Sequence, residues 1–200
     1  MLTRLVLASN NAGKAREFDA LLAPLGIRVE PQSAFDVPEA EEPFPGFVEN
    51  AIAKARHAAH HTGLPALADD SGLCVDALGG APGIHSARYA GAPKSDQRNI
   101  DKLLADLGAS DNRRAHFVCV LALVRSADDP QPIIAEGEWH GSILTAPRGA
   151  NGFGYDPLFW LDDLQQSAAE LDAPLKNMLS HRGTACRHLI DRLRALQTPA

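Results

Sequence analysis

Apolar positions along the chain gather in short runs whose spacing switches between the strand period and the helix period. Residues 2–8 form a near-continuous apolar run that reads as a buried strand. The polar turn Ser9-Asn10-Asn11-Ala12-Gly13 separates it from a helix predicted over about 14–25, with Phe18, Leu21, Leu22 and Leu25 on one face and Gly26 as its stop. A short strand at 27–29 leads into residues 31–46, where four prolines and the acidic run Glu39-Ala40-Glu41-Glu42 predict a loop. A second helix is expected over 47–62, with Phe47, Ala51, Ile52, Ala55 and Ala58 on its core side and Gly63 at its end.

Residues 66–69 read as a short strand leading into Asp69-Asp70-Ser71-Gly72, and Gly79-Gly80-Ala81-Pro82-Gly83 is turn-rich. A third helix is predicted from Ser95 to Leu107. Residues 115–125 and 132–144 predict two longer strands joined by Ala127-Asp128-Asp129-Pro130 as an antiparallel hairpin. Residues 147–157 read as a glycine-rich loop, and one or two helices follow from about Pro174, with Leu189, Ile190, Leu193 and Leu196 at helical spacing. There is no repeat and no low-complexity linker. The alternation of elements predicts an α/β fold with a mixed sheet.

Composition narrows the function. With 45% hydrophobic residues in 200, the chain can bury a substantial core, and charges or prolines interrupt every apolar run before it reaches membrane-spanning length. The N-terminal run lacks the order of a signal peptide, so a soluble cytoplasmic protein is expected. Cys74, Cys119 and Cys186 are odd in number and lack zinc-site spacing, which predicts reduced core residues. A net charge of −6 argues against binding duplex nucleic acid, although a few converging lysines and a metal can still hold a small polyanion.

Several patterns carry candidate chemistry. A strand, a polar turn with Gly13 and Lys14, and a helix together present amides and a helix N-terminus to an anion. It is not a Walker A loop, because Ala8 and Ala15 stand where that motif needs its first glycine and its hydroxyl. Asp69 and Asp70 would emerge at the end of a strand, where open α/β sheets place ligands, and adjacent residues there point to opposite faces. Glu41 and Glu42 could add oxygen ligands for magnesium, which takes one or two carboxylates together with phosphate and water. Asn50 and Lys54 share a helix face. Phe153 and Tyr155 sit in a glycine-rich loop suited to presenting an exposed ring for base stacking, and Lys176 stands one helical turn before Ser180-His181-Arg182-Gly183.

Taken in order, the blocks Ser9 to Lys14, Phe47-Val48-Glu49-Asn50-Ala51 through Lys54-Ala55, Ala68-Asp69-Asp70-Ser71-Gly72-Leu73, Gly79 to Gly83, Gly152-Phe153-Gly154-Tyr155-Asp156-Pro157 and Ser180-His181-Arg182-Gly183 resemble the inosine/xanthosine triphosphate pyrophosphatases across essentially the whole chain. The resemblance implies one domain over residues 1–200, an elongated mixed β-sheet flanked by helices, two lobes around a central cleft, and a homodimer. It also implies magnesium-dependent hydrolysis of ITP, dITP and XTP to the monophosphate and pyrophosphate, cleansing the nucleotide pool. Residue by residue, Ser9, Asn10, Asn11, Ala12, Gly13 and Lys14 would bind triphosphate. Asp70 would be the base and a metal ligand, with Glu42 or its neighbour Glu41 beside it. Ser71 would contact substrate, and Lys54 and Lys176 would neutralise developing charge. Phe153 would stack on the purine, Gly154, Tyr155 and Asp156 would shape the pocket, and His181 and Arg182 would donate to the 6-oxo group. The partner would be a small-molecule nucleotide, with neither nucleic acid nor membrane. A septum-inhibitor-type pyrophosphatase acting on modified pyrimidine triphosphates and a nucleotide-sensing or single-strand-binding module are the alternatives. The Phe153 and His181 blocks argue against the first, and the acidic balance with Asp70 and Glu42 against the second.

Overall fold

In the computed structural model, which describes residues 2–197 with side chains through 195, seven strands share one open mixed sheet in the order β2-β1-β3-β4-β5-β6-β7. The strands are β1 (Arg4–Leu7), β2 (Arg28–Pro31), β3 (Ala66–Val75), β4 (Arg114–Val124), β5 (Ile133–Ile143), β6 (Phe159–Leu161) and β7 (Gln166–Ser167). Five helices accompany them: α1 (Ala12–Leu22), α2 (Phe47–Thr62), α3 (Asp96–Leu107), α4 (Ala173–Leu179) and α5 (His181–Gln197). β1 pairs in parallel with β2 and β3, whereas β5 with β6 and β6 with β7 are antiparallel. The described residues fall into two compact units, one of residues 2–70, 119–137 and 182–197 and one of 71–118 and 138–181.

The first unit has its own core. Leu5 and Leu7 of β1, Phe18 and Leu22 of α1, Leu67 of β3, Leu121 and Leu123 of β4 and Leu189 of α5 pack together in it. The periodic faces read from sequence account for this cluster, with Ile190 and Leu193 at its margin; Leu196 of the same face lies outside the residues whose side chains are described. The second unit packs α3 through Ile100, Leu103 and Leu107 against Leu73, Phe117, Trp139, Ile143 and Phe159.

Local signals set most helix ends. Ser95 caps α3 by accepting from the Arg98 amide, and Gly63 ends α2 at φ +66°, a region glycine enters without Cβ strain. α1 starts two residues earlier than predicted, because Asn11 is its cap and accepts from the Lys14 amide. The turn between β4 and β5 is built on Asp129, which accepts from the main-chain amides of Arg125 and Gln131 and pairs with the Arg125 guanidinium.

Three expectations need correction. β3 does not stop before Asp69-Asp70-Ser71-Gly72 but runs on to Val75, so both carboxylates lie within a strand and not at its end. Gly72 permits this: a Cβ there would lie 2.2 Å from the Gly83 carbonyl oxygen and 2.7 Å from Ser86 Oγ. The glycine answers a close backbone approach and not a turn. β6 and β7 are too short to be read from periodicity. Cys74 is half-exposed, unlike buried Cys119 and Cys186, although all three are free thiols as expected.

Gly72→Ala is accordingly expected to destabilise the second unit by about 1–3 kcal/mol, the usual effect of overpacking where backbone must move. Thermal unfolding measures it, and an unchanged Tm would contradict the close approach.

Candidate active site

In the first unit, the turn before α1 is held by its own side chains. The Asn11 amide donates to Ser9 Oγ at 3.2 Å and the Lys14 amide to Asn11 Oδ1 at 3.1 Å. Asn10, Asn11 and Ala12 are exposed and Gly13 half-buried, at the partly positive end of an eleven-residue helix. The Lys14 ammonium, one turn in, pairs with Asp69.

Asp69 is the organising carboxylate. Besides Lys14, its Oδ2 accepts from Arg182 Nε at 2.7 Å and lies 3.4 Å from the Cys119 thiol, while Arg182 Nη1 pairs with Glu17 on α1. Burial alone would push the Asp69 carboxyl up, but the Arg182 and Lys14 charges hold it well below the usual carboxylate range. Burial would likewise pull Arg182 down, and the Asp69 and Glu17 charges instead raise it well above its ordinary value. Sequence reasoning gave neither Asp69 nor Glu17 a role. The signal for Asp69 was its adjacency to Asp70, since alternation along β3 sends one to each face; Glu17 offered none.

On the other face, Asp70 Oδ1 lies 2.6 Å from the Lys54 ammonium, which also donates to the Asp69 carbonyl at 2.9 Å and to Glu42 Oε1 at 3.1 Å. Burial raises the Asp70 carboxyl above the ordinary range despite Lys54, and Glu42 adds to the rise. Burial lowers the Lys54 pKa, but the acids around it, Asp70 first, carry it above its usual value. Asp70 Oδ2 is buried and accepts no hydrogen bond. A buried polar atom of this kind requires a reason, and a water or cation supplies one.

The loop carrying Glu42 is fixed by Asn50 of α2, which takes the Phe44 amide at 3.1 Å and gives to the Phe44 carbonyl at 2.9 Å. Glu42 is thereby brought to Lys54, while Glu41 is exposed. Among the described residues no group of three or more His, Cys, Asp or Glu side chains could hold a metal. The available donors are the two carboxylates, a set that suits a hard cation completing its shell from phosphate and water.

In the second unit, the loop 152–157 departs from the expectation of a flexible segment presenting an exposed ring. Asp156 Oδ2 accepts from the Phe153 amide and from the Lys176 ammonium, both at 2.8 Å. A Cβ on Gly152, at φ +76°, would fall 2.1 Å from that same oxygen, so only glycine fits. Lys176 is buried, with its ammonium 4.9 Å from the centroid of the half-buried Phe153 ring. Tyr155 turns into the core and donates to the Ser86 carbonyl at 2.9 Å. His181 stacks on Phe117 with centroids 4.7 Å apart and planes 11° from parallel, and Ser71 is half-buried in β3.

Each unit thus carries a cluster of paired charges and buried polar groups of the kind that marks functional sites. The model of the Ham1 family matches residues 5–192. The chain belongs to the Ham1 family. Among its Ham1 relatives, the dITP/XTP pyrophosphatase of Aromatoleum aromaticum is 72% identical over 193 residues, covering 96% of this chain and 98% of its own. That of Ralstonia nicotianae is 59% identical, covering 98% and 99%. The HAM1 protein of Coxiella burnetii superposes with a TM-score of 0.89 at 52% identity, over 98% of this chain and 100% of that one. The Staphylococcus aureus Ham1 protein gives 0.86 at 40% identity, over 97% and 100%.

Proposed function

We propose that this protein hydrolyses deaminated purine nucleoside triphosphates, ITP, dITP and XTP, to the monophosphate and pyrophosphate. Its relatives named dITP/XTP pyrophosphatases support the activity, and the observation that carries the mechanism is the buried Asp70 Oδ2 without a hydrogen bond beside Lys54 and Glu42.

The triphosphate meets residues of the first unit. Ser9 to Gly13 and the start of α1 offer amides, and Lys14 adds a charge already oriented by Asp69. Asp70 Oδ2 takes the proton of the attacking water, a role favoured by burial that brings a carboxyl toward the working pH. Lys54 faces the charge that builds as pyrophosphate leaves, which is the main demand of phosphoryl transfer. A magnesium ion, for which Asp70 and Glu42 are the fitting ligands, supplies positive charge to the phosphate oxygens when bound.

A second set of residues is read as meeting the base. Phe153 stacks on the purine, Gly154, Tyr155 and Asp156 shape its surroundings, Lys176 adds charge, and Ser71 touches substrate. His181 and Arg182 donate to the 6-oxo group. Adenine presents an amino group there, setting a donor against a donor in place of the 6-oxo acceptor, at roughly 1–3 kcal/mol per mismatched group. The same reading makes the protein a cytoplasmic homodimer acting on free nucleotides, with neither nucleic acid nor membrane as partner. The net charge of −6 supports the exclusion of nucleic acid, and none of the described helices is long and apolar enough to cross a membrane.

With magnesium, dITP and XTP are expected to yield monophosphate and pyrophosphate far faster than ATP, dTTP or UTP, as read by product chromatography. Inorganic phosphate as the first product overturns the reading.

A further inference from the structure

The two peptide groups on either side of Phe153 are each tied to a carboxylate. The Phe153 N–H, in the plane shared with Gly152, donates to Asp156 Oδ2 at 2.8 Å. The Gly154 N–H, in the plane shared with Phe153, donates to Asp96 Oδ2 at 2.7 Å, across 58 positions of sequence. Because peptide groups are planar, fixing both planes fixes φ and ψ of the residue between them and hence the direction of its Cα–Cβ bond. Asp156 does half of this from within the loop. The other half comes from the first residue of α3, a helix anchored in the core of the second unit by Ile100, Leu103 and Leu107. Gly154 stands at φ +61°, with nothing within 4 Å of where a Cβ would lie.

We infer that Asp96 is a positioning residue for the Phe153 ring, setting the second of the two peptide planes that aim it at the purine. The inference rests on the proposed role of Phe153 in base stacking. Asp96 touches neither base nor phosphate in this role. It acts by preorganisation, removing backbone freedom that the substrate would otherwise have to quench on binding.

Four single variants and one double variant test this with dITP and XTP under magnesium. Asp96→Ala is expected to raise KM by roughly five- to tenfold, the scale of one lost solvent-exposed hydrogen bond, with kcat changed less than twofold. Asp96→Asn keeps an acceptor for the Gly154 amide and is expected to return KM to within about twofold of the parent. Ser95→Ala removes the α3 cap, whose hydroxyl accepts from the Arg98 amide, and leaves the Asp96 tie in place. It is expected to lower Tm at least as far as Asp96→Ala does, without the rise in KM. In a Phe153→Ala background, Asp96→Ala is expected to have no further effect on KM, because the two changes act through one ring.

An unchanged KM in Asp96→Ala overturns the inference, as does the same rise in Ser95→Ala or a full effect persisting without the Phe153 ring. A parent protein that turns over neither dITP nor XTP overturns the functional reading instead, and the inference falls with it.

Discussion

Asp70→Asn is expected to lower kcat for dITP and XTP by about 10²–10⁴-fold, the contribution of a positioned general base. The substitution is nearly isosteric. The amide oxygen can still accept from Lys54, now 2.6 Å from Oδ1, and the strand on either side is untouched. What is lost is the capacity of the buried Oδ2 to take a proton from water, together with one of two carboxylates able to face a cation. Circular dichroism and thermal unfolding should therefore match the parent while single-turnover hydrolysis collapses. A variant that retains parental kcat removes Asp70 from the chemistry. One that recovers most of its rate at high magnesium assigns the residue mainly to metal binding.

Asp69→Ala should act on stability first. Asp69 is nearly inaccessible, and it is the shared partner of Lys14 and Arg182, the latter only 2% exposed. Truncating it leaves the Arg182 guanidinium buried without its Asp69 carboxylate. Breaking a buried ion pair from one side typically removes about 3–5 kcal/mol, because the remaining charge stays desolvated without its partner. For a chain of this length that corresponds to a fall in Tm of roughly 6–20 °C. Asp69→Asn, which can still accept from Arg182 Nε, is expected to lie between the parent and the alanine variant. If Asp69→Ala unfolds within about 2 °C of the parent, the carboxylate is not the hub its contacts imply. Lys14 would also lose its orienting partner, so KM for nucleotide should rise in whatever fraction of the variant folds.

These two neighbours show how far a sequence reaches. Alternation along a strand predicts that Asp69 and Asp70 face opposite ways, and they do, one toward Lys14 and Arg182 and the other toward Lys54. Which of them is the structural anchor is not a local property. Asp69 finds its partners 55 and 113 positions away, and no spacing rule reaches that distance. Lys54 and Lys176 pose the same problem: each reads as a surface lysine, and Lys54 becomes a half-buried cation and Lys176 a buried one only because Asp70 and Asp156 are folded against them.

The sequence by itself determined what short-range physics determines. α2 spans the residues its apolar face and Gly63 predict, α3 starts at the Ser95 cap, and a mixed sheet flanked by helices follows from the switch of period along the chain. The ordered blocks from Ser9 to Gly183 were sufficient for the family. Tertiary structure alone decided the rest. It carried β3 through an Asp-Asp-Ser-Gly run that reads as a turn, because the Gly83 carbonyl closes on Gly72. It added β6 and β7, drew Tyr155 into the core, and tied the peptides around Phe153 to two separate carboxylates. Period, caps and turn glycines act over a few residues. The burial of a charge and the aim of a ring depend on partners that only folding brings near.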